Sequence, residues 1–126
     1  MVKHIVTFKF SGDADVRRDV ARRFADALLK LPVEIPVLES MEVGINENPA
    51  EEWDLVLTAV VPTMADVAVY SNHPAHVAAA AIVKDHKAAR ACVDYQFYPV
   101  PHYAQNLRIT HNDGRHIGRF LFLLER

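Results

Sequence analysis

A chain of 126 residues, 51% apolar and 24% charged, has the size and balance of one soluble globular domain and is too short for two cores. Its formal charge of −2, with Lys and Arg scattered along the chain, offers no basic stripe to neutralise phosphates, which argues against a nucleic-acid partner. No apolar run reaches the ~18 residues that span a bilayer, and MVKHIVTFKF lacks the long apolar stretch and cleavage site of a signal peptide, so the expectation is a cytoplasmic protein. The lone Cys92 excludes an internal disulfide and reads as an inert, half-buried thiol.

In VKHIVTFKF, Val2, His4, Val6, Phe8 and Phe10 alternate with Lys3, Ile5, Thr7 and Lys9, the period of a strand, and His4 points with the apolar set. After a Ser-Gly-Asp turn, Val16, Val20, Phe24, Leu28 and Leu31 recur at helical spacing, with arginines on the opposite face and Pro32 as the boundary. Val37–Ile45 alternates as a second strand. Trp53–Val61 reads as a third, apolar on nearly both faces and therefore central. Thr63 and Asp66 form a weak capping box that opens a helix carrying Met64, Val67 and Tyr70 inward. An alanine-rich helical stretch runs from Pro74 to about Lys87, and Ala91–Val100 alternates as a fourth strand.

The order strand, helix, strand, strand, helix, strand predicts an α+β, ferredoxin-like βαββαβ unit over residues 1–100, with an antiparallel four-stranded sheet and both helices on one face. The other face needs a cover. A second copy of the same sheet supplies it, which predicts a homodimer through the sheet faces. Residues 101–126 form a C-terminal extension in which Asn112-Asp113-Gly114 signals a hairpin. Its apolar end, FLFLLE, has three placements open to it: on the core, over a partner chain, or as a tail outside the fold.

The stretch VYSNHPAHVAAA, from Val69 to Ala80, is the most informative. Pro74 drives His73 out of the helical region, so one helix ends near Asn72 and another opens at the proline with His76 in its first turn. The positive helix end favours a neutral imidazole at His76, which can then act as a base. Tyr70 lies across the kink and His4 below it. The small side chains Ala78 to Ala81 either bring helix and sheet close together or leave a cavity for a small molecule. The bland readings stand beside these: His4 as a hydrogen-bonded structural residue, Tyr70 as core, and His73 as a helix-break residue bonded to nearby backbone. His73 and His76, with His4, also have the residue types of a metal site, but the break at Pro74 spoils their spacing and no metal is expected. Phosphate loops, nucleophile motifs and dinucleotide fingerprints are absent from the sequence.

The opening VKHIVTFKF, the segment from Ile35 through Glu42-Val43-Gly44, the Asp94-Tyr95 pair and above all Tyr70 followed by HPAH at His73–His76 resemble the stress-responsive A/B barrel (Dabb) family over roughly residues 1–100. The resemblance implies a dimeric α+β barrel. It also implies, from a plant polyketide cyclase of that family, cofactor-free aldol closure of a poly-β-keto thioester. Carried over, His76 is the general base, Tyr70 the hydrogen-bond donor to the enolate oxygen and His4 a pocket residue. Leu55 takes the place of a third-strand pocket histidine, and His73 is counted with the pocket. Two functions follow as expectations: an enzyme acting on a β-dicarbonyl substrate, or a non-catalytic small-molecule-binding dimer. An oxygenase on the same architecture rests on fold analogy alone.

Overall fold

The computed structural model describes residues 1–99 and the backbone of 108–110 and 116–119. It comprises two compact units, Val2–Tyr95 and a second made of Met1 with Gln96–Arg126.

In the first unit, β1 (Val2–Phe10) buries every second residue from Val2 to Phe10, as its alternation predicts. The chain then turns through Gly12, whose φ of 109° lies in the left-handed region. A Cβ there would stand 2.9 Å from Val16 Cγ1, so glycine is needed on two counts. Asp13 caps α1 (Ala14–Leu29), its carboxylate accepting from the Val16 amide at 2.9 Å. Helix α1 buries Val20, Ala21, Phe24, Ala25 and Leu28. A single turn, α2 (Leu31–Glu34), follows with Pro32 in it. Next come β2 (Ser40–Ile45), β3 (Leu55–Val61), α3 (Met64–Asn72), α4 (Pro74–Ala81) and β4 (Lys87–Gln96).

The sheet order is β2-β3-β1-β4, with β3 antiparallel to both neighbours. This is the ferredoxin-like α+β arrangement. Both helical layers lie on one face: Phe24 of α1 meets Phe8 and Phe10, and Tyr70 of α3 meets His4, all from the even-numbered side of β1. The register sets Val2 opposite Val61, His4 opposite Ala59 and Phe8 opposite Leu55.

Several boundaries differ from the sequence reading. Strand β2 starts at Ser40, after Pro36 and a turn in which the Leu38 amide bonds the Ile35 carbonyl. Helix α4 stops at Ala81, and Val83, Lys84 and His86 donate to carbonyls three residues back, tightening the chain into turns that free Lys87 to open β4 four residues early. The capping box is present in altered form: the Asp66 carboxylate accepts from both the amide and the hydroxyl of Thr63. Met64, at position N1 of α3, is 51% exposed rather than turned inward. Strand β3 is central, but its even residues are not buried within one chain, and Val56 is 38% exposed.

In the second unit, the Phe97 amide donates to the Met1 carbonyl at 3.0 Å. Strands β5 (Arg108–Thr110) and β6 (His116–Arg119) pair antiparallel. The expected turn at Asn112-Asp113-Gly114 and the FLFLLE end lie outside the described residues.

Candidate functional site

The break between α3 and α4 builds the site. His73 adopts φ −64°, ψ 136°, the extended conformation that the following proline enforces. It closes α3 through its amide, which donates to the Tyr70 carbonyl at 3.2 Å. Its ring then caps α4, with Nδ1 accepting from the Ala75 amide at 3.0 Å. A residue expected in the pocket, and read in its bland form as a helix-break residue, thus uses its ring on its own backbone.

His76, the third residue of α4, turns its ring back over the break. Its Nδ1 stands 2.8 Å from the Ser71 carbonyl. A carbonyl only accepts, so Nδ1 carries the proton and Nε2 carries the lone pair. Burial, the largest cause, pushes the His76 pKa below its ordinary value; the bond to Ser71 opposes this, and the charges of His4 and Arg90 reinforce it. The result is a neutral imidazole with a defined basic atom.

Tyr70 is fully buried, and its ring lies 4.6 Å from that of His76 and 5.8 Å from that of His4. Its hydroxyl is shut off from solvent with no hydrogen-bond partner among the described residues. Burial pushes the phenol far above the ordinary range, so Tyr70 keeps its proton and can donate it in a hydrogen bond rather than serve as a tyrosinate base.

His4 is 5% exposed, and its Nδ1 lies 2.5 Å from Asp94 Oδ1 on the neighbouring strand β4. Cys92 Sγ is 3.5 Å from each of them. Burial and the Asp94 carboxylate push the Cys92 pKa up, which keeps it a thiol. Of the described residues, His4, Cys92 and Asp94 are those whose donor atoms gather closely enough to hold a metal ion. The geometry fits a proton better. Two ligands of a tetrahedral zinc at about 2.0–2.1 Å stand about 3.3 Å apart, whereas 2.5 Å is the length of a short charge-assisted hydrogen bond.

Tyr70, His76 and His4 therefore come together, as the sequence suggests, while Leu55 does not. Leu55 pairs with Phe8, four residues (about 13 Å at the strand rise) along β1 from His4, and is buried in the core. Counting back from Tyr70 could not reveal this, because strand register is a pairing between distant segments. Of the alanines of α4, Ala79 is buried. Two clefts of the described residues lie elsewhere: one beside Gly44, Trp53 and Val56, the other between Arg18 and Asn48. Asp94 is the residue that sequence reasoning left without a role, although the Asp94-Tyr95 pair was among the motifs of the family resemblance.

The sequence profile of the stress responsive A/B barrel domain matches residues 2–97. Among solved structures, a dimeric protein of ferredoxin-like fold from Bacteroides fragilis shares 42% identity, covering 76% of this chain and 95% of that one, with a TM-score of 0.74. A dimeric ferredoxin-like protein from Thermobifida fusca shares 29% identity over 75% and 88% of the two chains, with a TM-score of 0.64. A hydroxynitrile lyase from Passiflora edulis, 14% identical over 78% and 96% with a TM-score of 0.62, shares the fold alone. No curated protein matches the chain. No helix among the described residues is long and apolar enough to cross a membrane.

Proposed function

Because the chain belongs to the stress responsive A/B barrel domain family, we propose that it is a small-molecule enzyme whose Tyr70, His76 and His4 carry proton transfer on a β-dicarbonyl substrate. The observation that carries this reading is the Tyr70 hydroxyl, buried and unpartnered beside two imidazoles. A native fold rarely leaves such a group orphaned, since the cost is about 1–3 kcal/mol, and a ligand oxygen is a fitting partner for it.

In the reaction, His76 Nε2 removes a proton from the carbon between two carbonyls. The electron pair moves into the adjacent carbonyl, whose oxygen accepts a hydrogen bond from Tyr70 as it gains enolate character. The enolate carbon then bonds to a second carbonyl carbon of the same molecule, and the oxygen released from that double bond takes the proton back from His76. Atoms and charge balance without any cofactor, giving an aldol ring closure of the polyketide-cyclase type.

Tyr70→Phe tests the premise by itself. Removing an orphaned hydroxyl is expected to stabilise the ligand-free protein by about 1 kcal/mol, a rise in melting temperature of about 4 °C, while abolishing stabilisation by β-keto acids that shift the wild type. A fall of several degrees in the ligand-free variant would show that the hydroxyl already has a partner and remove the ground for the reading.

Closure of the hydroxyl from solvent favours a second reading, a dimer that binds a small molecule without turning it over. A stabilising ligand recovered chemically unchanged after prolonged incubation selects that reading.

The proposed dimer forms through the helix-free sheet face, as the description of the Bacteroides and Thermobifida proteins as dimeric encourages. Cys92 and Asp94 meet His4 on the helix side, so Val93 and Tyr95 lie on the opposite face, and Val93 is 63% exposed. Val93→Lys is expected to convert a dimer to a monomer in sedimentation velocity, since it places a charge in a face that must become dry. A dimer that persists unchanged would put the contact elsewhere.

A further inference from the structure

We infer that Arg90 is a specificity-determining residue at the kink: its guanidinium anchors a carboxylate of the ligand, so that the site prefers keto acids to neutral ketones of the same shape. The inference rests on the reading of the kink as a small-molecule site. It adds the charge of the ligand and the residue that selects it.

Arg90 stands two residues before Cys92 and four before Asp94 on β4, and a strand turns alternate residues to one face. Cys92 Sγ lies 3.5 Å from His4 Nδ1, so the face shared by Arg90, Cys92 and Asp94 is the one beneath the kink. Arg90 is about 7 Å along the strand from Cys92, a distance that a long arginine side chain spans, and it is exposed where His4 is buried. The Arg90 charge is felt at three groups of the site. Burial is the larger influence on each, raising Tyr70 and Cys92 and lowering His76; the guanidinium opposes the first two shifts and adds to the third.

An arginine stays charged, and its planar fork matches a carboxylate. Among the described residues no carboxylate pairs with Arg90: the ion pairs are His4–Asp94, Lys9–Glu52, Arg17–Asp54 and Arg23–Asp19. Asp94, the acid on the same face of β4, is thus taken by His4, and the fork is left for an acid that arrives with the ligand. A keto acid then meets matched groups at both ends. The Tyr70 hydroxyl, buried without a partner among the described residues, donates to the ketone oxygen, and Arg90 donates to the carboxylate. His76, kept neutral by burial first and by the Arg90 charge as well, remains a base between them. A neutral amide of the same shape leaves the guanidinium to water and forgoes the charge-assisted bond.

The test uses the full chain, a probe pair and a second readout. By calorimetry, 4-oxo-4-phenylbutanoate is expected to bind at least about 5-fold tighter than 4-oxo-4-phenylbutanamide, with the ratio falling as salt is raised. Arg90→Gln should bring the ratio to about 1, and Arg90→Lys should keep part of it. In proton NMR, the His76 ring signal, assigned with His76→Ala, should titrate at a higher pH in Arg90→Gln than in wild type, since a like charge has gone while His4, Tyr70, Cys92 and Asp94 stay in place. An unchanged His76 midpoint removes Arg90 from the kink and overturns the inference whatever binds. Equal binding of acid and amide to the wild type, or a preference that survives Arg90→Gln, overturns the anchor while leaving the small-molecule reading intact. Binding of neither probe to the wild type overturns both.

Discussion

His76→Ala is expected to lower turnover of a β-keto substrate by about 10²–10⁴-fold, the usual contribution of a positioned general base, with little change in KM. The loss belongs to the transition state because Nε2 interacts with the moving proton rather than with the resting ligand. In the wild type the rate should hold below pH 6.5, the ordinary histidine value, because burial lowers the pKa and keeps the ring neutral further into acid. The same shift acts on stability. With the folded pKa below the unfolded one, the unfolded chain binds more protons as the pH falls from about 6.5 to the folded value, so stability declines across that window and His76→Ala removes that part of the decline. A variant that keeps full turnover with an unchanged acid limb would move the base to another residue.

Phe24→Ala carries the largest expected cost to the fold, about 3–5 kcal/mol by urea denaturation. The Phe24 ring lies 5.3 Å from Phe8 at 88° and 6.5 Å from Phe10 at 78°, both edge-to-face, and it is almost fully buried between α1 and β1. Its truncation empties the contact that seats α1 on the central strand. Against a typical domain stability of about 5–15 kcal/mol, such a loss is a large fraction of the whole. A cost under about 1 kcal/mol would show that the sheet and helix can collapse onto the void.

What was legible in the sequence follows from which features are local. Alternation along VKHIVTFKF corresponds to the buried residues of β1 one for one, because a strand's period is a property of nine consecutive residues. The Pro74 break and the first-turn position of His76 are equally local, set by one ring and its neighbour. Ala88, Ala89 and Ala91 are compatible with either a helix or a strand, so the start of β4 could not be read from them; just before it the Ser11 amide, from beyond the end of β1, bonds the His86 carbonyl. The same limit hid the contact of Asp94 with His4 and the pairing of Leu55 with Phe8, since both join distant segments. The orphaned Tyr70 hydroxyl had no sequence signal at all, since it reflects what the surrounding packing fails to supply.

Solvent deuterium exchange into the methylene of a linear β-keto thioester, followed by proton NMR in the first minutes, tests the proton-transfer claim most directly. Wild-type protein is expected to accelerate exchange over buffer, with the acceleration lost in His76→Ala and reduced in Tyr70→Phe. Binding of the thioester with no acceleration of exchange, or equal acceleration by wild type and His76→Ala, would contradict the assignment of base chemistry to the kink.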